Sequence, residues 1–189
     1  MELDAHKSAV ARAYGLASDG YNKPALRFFS QGAESLVDFA GLSPGQRILD
    51  IASGTGHAAF YAGTKVGVRG SVVGIDIAEQ MVHLANAHAR ASSLANVHFE
   101  LMDGEHTSFK DNEFDAVLCS YGVFFIPEMV NGIKEWKRLT KHGCVCSRLE
   151  RRHSSRNPIC LRTALGNSGQ LFPTESDLLA GNGWSNCSR

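Results

Sequence analysis

The segment RILDIASGTGHAAF, residues 47–60, sets an acidic residue, Asp50, four positions before the first glycine of a Gly54-Thr55-Gly56 turn. Glycines there let the backbone approach a ligand closely, and a helix opening just beyond them offers unpaired amides. Two more carboxylates stand in comparable places. Asp76 closes the apolar run SVVGI, and Asp103 with Gly104 follows the alternating Val97, Phe99 and Leu101. Ser120 closes a fourth apolar run. No Gly-Lys-Ser/Thr follows the glycines, which excludes an NTPase phosphate loop. Residues 54–59 do fit the G-x-G-x-x-G/A pattern of dinucleotide loops, with Asp76 at the distance expected of its ribose-binding acid. Asp50 works against that reading, because a carboxylate so near the turn repels a pyrophosphate and attracts a cationic amino-acid group. Three carboxylates around one pocket suit a ligand with an ammonium, a ribose diol and an adenine amine. S-adenosyl-L-methionine carries these groups, a sulfonium cation and no phosphate. A nicotinamide-dependent oxidoreductase using the same glycines is the weaker alternative.

Such acids converge only if the elements carrying them are arranged in parallel. Residues 5–18 and 25–40 read as helices, the second with a stripe of Leu26, Phe29, Ala33, Leu36 and Ala40. Residues 41–46, GLSPGQ, form a turn. Strands follow at 47–51, at 71–75 ending on Asp76, from Val97 towards Asp103, and at 114–120. Helices alternate with them at 56–66, on a face of Met81, Leu84, Ala85 and His88, and around Met129, Ile133 and Trp136. This alternation predicts an α/β fold, a Rossmann-like doubly wound, mainly parallel sheet whose ligand lies at the C-terminal strand ends. Residues 1–44 would be an N-terminal helical cap, 45–143 the ligand-binding core and 144–189 a divergent tail. In that tail a weak strand at 144–149 and a helix at 175–180 are expected, leaving the C-terminal strands of the sheet incomplete.

Composition narrows the function classes. The 189 residues carry 19 basic and 19 acidic side chains, so no overall field draws nucleic acid or an anionic membrane. The charged N-terminus lacks a secretory h-region, and no apolar run is long enough to cross a membrane. A cytoplasmic protein is expected, without a sequence signature for its oligomeric state. Five cysteines and no export signal argue against a disulfide framework. His142, Cys144, Cys146, His153 and Cys160 match no zinc-ligand spacing, so no metal is expected.

The blocks in this order resemble class I S-adenosylmethionine-dependent methyltransferases of the small-molecule (type 11, quinone-methylase-like) group. ILDIASGTGHAAF resembles their first motif, L-D-x-G-x-G-T-G. VVGIDIAEQMVHLANAHA resembles the acidic ribose loop and its helix. ELMDGEHTSFKDNEFDAVLCSYGVFFIPE is similar to the adenine loop and fourth strand, and AYGLASDGYNKPALRFF to the N-terminal cap. The resemblance covers roughly residues 8–143. It implies that Asp50 steers the methionine ammonium and that Ala52, Gly54 and Gly56 let the backbone meet the ligand. Asp76 would accept from the ribose hydroxyls, with Ile77 and Met81 flanking the adenine. Asp103, beside Gly104, would accept from the adenine amine, and Ser120 would stand near the transferring methyl.

The segment Ser120-Tyr121-Gly122-Val123-Phe124-Phe125 lacks the Asn/Asp-Pro-Pro-Tyr/Phe pattern of amide and base N-methylases, which argues against nucleic-acid amines as acceptors. A small, partly apolar acceptor of aromatic or quinol-like kind is expected, with Tyr14, Tyr21, Phe28, Phe29, Phe124 and Phe125 as candidate walls. Tyr14 and Tyr21 have hydroxyls that can orient it, whereas Phe28 and Phe29 fit helix core better. His57 is a candidate general base beside a plainer reading as a surface histidine. Two departures from the family pattern stand out: Ala52 replaces the first motif glycine, and residues after Gly143 do not continue the expected strands. The alternative is therefore a truncated, non-catalytic methyltransferase-like protein that binds cofactor or a partner only.

Overall fold

In the computed structural model, which describes residues 2–141, 144–148 and 159–162, short β-branched runs become strands and the segments between them helices. β1 (Arg47–Ile51), β2 (Ser71–Asp76), β3 (Val97–Leu101), β4 (Ala116–Ser120), β5 (Cys144–Arg148) and β6 (Ile159–Arg162) form one sheet, ordered β3-β2-β1-β4-β5-β6. The first five are parallel, and β6 runs antiparallel to β5. α1 (Glu2–Ala17) and α2 (Arg27–Ala40) precede the sheet, joined through 3-10 turns at Ser18–Gly20 and Pro24–Leu26. α3 (His57–Val66), α4 (Glu79–Ala91) and α5 (Met129–Leu139) lie between successive parallel strands, as parallel pairing requires.

Strand alternation divides the core into two layers. Ile48, Val72, Ala116 and Leu118 pack with Leu36 and Val37 of α2, Ala59, Ala62 and Val66 of α3, and Ala85 of α4. Leu49, Ile51, Val73, Ile75 and Val117 face the other way, onto Ile133, Trp136 and Leu139 of α5 and onto Phe114. By the same alternation Asp50 shares the face of Ile48, towards α2 and α3. Trp136 is fully buried and donates its indole N–H to the Gly104 carbonyl at 2.7 Å, tying α5 to the loop after β3. Gly41, at φ 61°, ends α2 in the left-handed conformation that glycine adopts without cost.

Several boundaries differ from the sequence expectation. α1 starts at Glu2 rather than residue 5, and α2 at Arg27, because Pro24 opens a separate 3-10 turn. β4 starts at Ala116; Phe114 makes only an isolated bridge to Thr140, and the Asp115 carboxylate takes the Arg47 amide at 2.8 Å. On α4 the buried face is Met81, Val82 and Ala85, while His88 is exposed. The weak strand expected at 144–149 is β5, Cys144–Arg148, whereas β6 had no sequence signal. The helix expected at 175–180 and the side chains of His142, Cys144, Cys146, His153 and Cys160 lie outside the described residues. Among the described residues no His, Cys, Asp or Glu group could hold a metal, and no helix is long and apolar enough to cross a membrane.

Gly74 of β2 sits in register with Asp50 on one side and Phe99 on the other. A Cβ there would come within 3.0 Å of the Ser53 Cβ and nearer still to the buried Phe99 ring. Gly74→Ala is therefore expected to destabilise the fold by about 1–3 kcal/mol through overpacking. A urea unfolding curve checks this, and an unchanged midpoint would refute it.

Candidate functional site

At the C-terminal strand ends, where the strand order reverses between β1 and β4, the sheet opens into a cavity of about 300 Å³. Its core side is lined by Ala52 and Gly54 after β1, Asp76 and Ile77 after β2, Asp103 and Gly104 after β3, and Ser120 after β4. Its roof comes from the cap, through Lys7, Val10, Tyr14, Tyr21 and Phe29. A smaller recess shares Ala52, Gly54, Ser120 and Tyr121 with the cavity and adds Asp50, Ser53 and His57. Gly56 and Met81 line neither space. Met81 is fully buried on α4, and Gly56, at φ 97°, opens α3 where a Cβ would strike the rings of Phe60 and Phe99.

The carboxylates differ sharply in what holds them. Asp50 is fully buried and neither of its oxygens has a hydrogen-bond partner. Burial pushes its carboxyl up to about 8; the nearby Asp76 adds to this, while the Ala59 amide at the start of α3, close by but outside hydrogen-bonding geometry, opposes it. The hydroxyls of Ser53 and Ser120 are likewise buried without partners. Asp76 is the staple of the glycine loop: Oδ2 accepts from the Gly54 amide at 2.8 Å and Oδ1 from the Ala78 amide at 2.9 Å. Burial raises its pKa against these amides. Asp103 takes the Glu105 amide on Oδ1 at 2.9 Å and Lys7 Nζ on Oδ2 at 2.7 Å. Lys7 also meets Glu105 Oε2 at 2.6 Å, and Glu105 Oε1 accepts from the Glu128 amide at 3.0 Å. Burial pulls the Lys7 ammonium down, but Asp103 and Glu105 outweigh it and hold it above the ordinary lysine value.

Aromatic rings close the other side. Tyr21 stacks on Phe29 at 4.9 Å, Tyr14 meets Phe125 edge-on at 5.2 Å, and Tyr121 meets Phe29 edge-on at 5.3 Å. Burial, with Asp76 nearby, raises the pKa of Tyr14 and of Tyr21, so both hydroxyls stay protonated and can donate. Phe29 lines the cavity rather than the helix core, as does Phe124, whereas Phe28 stands outside and partly exposed. Thr55, buried, donates its hydroxyl to Asn22 at 2.7 Å and ties the loop to the cap. His57 is half-buried, and that burial, helped by His88 and opposed by Glu34, lowers its pKa and leaves a neutral imidazole near pH 7.

Lys7, Glu105 and Tyr121 were not singled out in the sequence. Tyr121 follows β4 at φ 66°, a left-handed conformation uncommon for a non-glycine residue. Its hydroxyl rests against Gly32 of α2, where a Cβ would collide with it. Ala52 is also left-handed, at φ 53°, and its Cβ fills the space that Gly122 leaves by having none.

Comparison with known proteins adds the following. A family model described as a methyltransferase domain matches residues 48–143. An aklanonic acid methyltransferase of Streptomyces sp. (strain C5) is 35% identical over 143 residues, 76% of this chain and 65% of that protein. A 2-phytyl-1,4-naphtoquinone methyltransferase of Synechocystis sp. is 34% identical over 109 residues, 57% of this chain and 45% of that protein. The chain thus spans between about half and two thirds of the length of these relatives. The crystal structure of a SAM-dependent methyltransferase from Aquifex aeolicus shares the fold, with a TM-score of 0.64 and 24% identity over 76% of this chain and 78% of that one.

The buried Asp50 has a measurable consequence. Its folded-state pKa of about 8 lies above an ordinary value of 3.8, so between the two the folded chain keeps a proton that the unfolded chain releases. The associated stability is complete below the lower value and is lost as pH rises through the higher one. Asp50→Asn removes this loss, so its Tm is expected to exceed that of the unsubstituted protein most at about pH 8 and to converge with it towards about pH 4. Thermal melts across that range decide the matter; parallel curves would refute it.

Proposed function

This chain belongs to the methyltransferase-domain family, and on that premise we propose that it transfers a methyl group from S-adenosyl-L-methionine to a small, largely apolar acceptor of aromatic or quinol-like kind. The observation that carries the reading is the Asp50 carboxyl, fully buried, unpartnered and facing a recess continuous with the cavity. A buried carboxyl without partners is costly unless a cationic ligand meets it. The buried, unpartnered hydroxyls of Ser53 and Ser120 belong to the same recess and suit the polar end of an amino acid. Asp76 spends one lone pair of each oxygen on a backbone amide and keeps the others for a ribose diol. Asp103 and the apolar Ile77 line the part of the cavity that fits an adenine edge and face. Among the described residues a pyrophosphate finds only Lys7 as a cation in the lining, and Asp103 and Glu105 already hold it. That argues against the nicotinamide reading.

Bound in this cavity, the cofactor would supply an electrophilic methyl on a sulfonium, to which an acceptor atom bonds in line as the carbon–sulfur bond breaks and S-adenosylhomocysteine leaves. The chain's part is alignment, water exclusion and proton handling. Phe29, Tyr121, Phe124 and Phe125 wall the cavity with rings, which excludes water and favours a flat acceptor. Tyr14 and Tyr21, protonated, donate to an acceptor oxygen and fix its approach. His57, neutral in the adjoining recess, takes the proton that a hydroxyl or acidic carbon loses on methylation. The names of the two curated relatives, methyltransferases of aklanonic acid and of a naphtoquinone, support an acceptor of this class. A second reading, cofactor binding without turnover, draws on the residues after Gly143, which do not continue the family pattern.

The test is a thermal melt with S-adenosylhomocysteine or NADH, followed by transfer of labelled methyl to a panel of hydroxyquinones. S-adenosylhomocysteine at about 100 times its Kd should stabilise the fold by roughly 2.7 kcal/mol, and NADH should not. Asp50→Asn should weaken S-adenosylhomocysteine binding by about tenfold while stabilising the ligand-free fold, an opposition between function and stability. No stabilisation by S-adenosylhomocysteine would overturn the cofactor reading. Binding without label transfer would favour the second one.

A further inference from the structure

Among its described side chains, α1 covers the cavity without a fully buried residue of its own. From Asp4 to Ala17 every side chain is exposed or only half-buried. Its described inward face includes Lys7, Val10 and Tyr14, which line the cavity at helical spacing, and Gly15, which rests against the Gln80 side chain of α4. That is little apolar area with which to hold a helix of 16 residues against the protein. The strong attachment is ionic. Lys7 Nζ lies 2.7 Å from Asp103 Oδ2 and 2.6 Å from Glu105 Oε2, with the Lys7 side chain 15% exposed and that of Glu105 3%. Glu105 Oε2 is buried and accepts no other hydrogen bond.

We propose that Lys7 is a latch and a positioning residue: it clamps α1 over the cavity and fixes the Asp103 carboxylate, so that ligand exchange requires it to leave Asp103 and Glu105. The inference rests on the cofactor reading above. Asp103 is held at both oxygens, by Lys7 and by the Glu105 amide, so its remaining lone pairs present one fixed orientation to an adenine amine. Without Lys7, two carboxylates face each other with no cation between them, one of them buried. Repulsion then turns Asp103 away and frees the helix above it. Opening of α1 and release of ligand become one event.

The experiment measures dissociation of S-adenosylhomocysteine by stopped flow, with amide hydrogen exchange across α1, for the full chain and for Lys7→Met, Lys7→Arg and Glu105→Gln. Truncating one partner of a desolvated charge pair acts mainly on dissociation, so Lys7→Met should release ligand about tenfold faster or more, with the association rate little changed. Exchange in α1 should rise in step, and Lys7→Arg should recover much of both. Glu105→Gln keeps an oxygen for the Glu128 amide and loosens the same latch from the other side; it serves if Lys7→Met fails to fold. A merely structural lysine would lower Tm without splitting the two rates. If the unsubstituted chain binds S-adenosylhomocysteine and both variants dissociate within about twofold of it, the latch is overturned and the cofactor reading stands. If the unsubstituted chain does not bind it, both fall.

Discussion

β1 has no free edge. It is hydrogen-bonded to β2 and to β4, and in register Asp50 lies between Gly74 and Leu118. A carboxyl at that point of a central strand cannot turn to bulk water, and alternation directs it beneath α2 and α3. The surroundings are what allow it to be there. Gly74 carries no side chain, α3 opens with His57, Ala58 and Ala59, and α2 contributes the small Ala33 to the recess. The site is the space that these small residues leave around one acid, and the parallel strands bring the other acids to its rim.

How much of this was legible depends on the range of the interaction. Asp50, Asp76, Asp103 and Ser120 could be placed because each lies at or near the end of an apolar run, and parallel strands put such ends on one edge. The latch could not be read so. Lys7 and its carboxylates are separated by nearly a hundred positions, and nothing in MELDAHKSAV distinguishes this lysine from a solvated one. Met81 illustrates a different limit: helical spacing identifies a buried side chain but not what it is buried against. His88 and Val82 exchange places because a helical stripe read from a few positions tolerates rotation by one residue. Tyr121 was hidden because a left-handed turn has no signature when a tyrosine rather than a glycine occupies it. β6 carried no pattern at all, and its place beside β5 comes from backbone pairing alone.

The two ends of the cavity belong to different parts of the chain. Its floor lies within residues 48–143, the stretch that matches the methyltransferase domain, whereas Lys7, Val10, Tyr14, Tyr21 and Phe29 precede that stretch. The shared domain supplies the acids and the glycine turn. The part outside it supplies nearly all the roof, two of its hydroxyls and the cation that pairs with the floor. On the proposed function, α1 and α2, which lie outside the domain match, would share with Tyr121, Phe124 and Phe125 the choice of what enters.

The contact between Ala52 and Gly122 joins two loops that would otherwise be read separately. One follows β1 and touches the end of the cavity assigned to the cofactor; the other follows β4 and carries Tyr121 into the aromatic wall. Each pivots on a left-handed residue, and a methyl group of one is seated in the missing side chain of the other. They mesh as a pair of gears. On the proposed function, a change to the second loop that recuts the pocket for a bulkier acceptor presses on the first loop as well, so breadth of acceptor and grip on the donor would be traits engineered together.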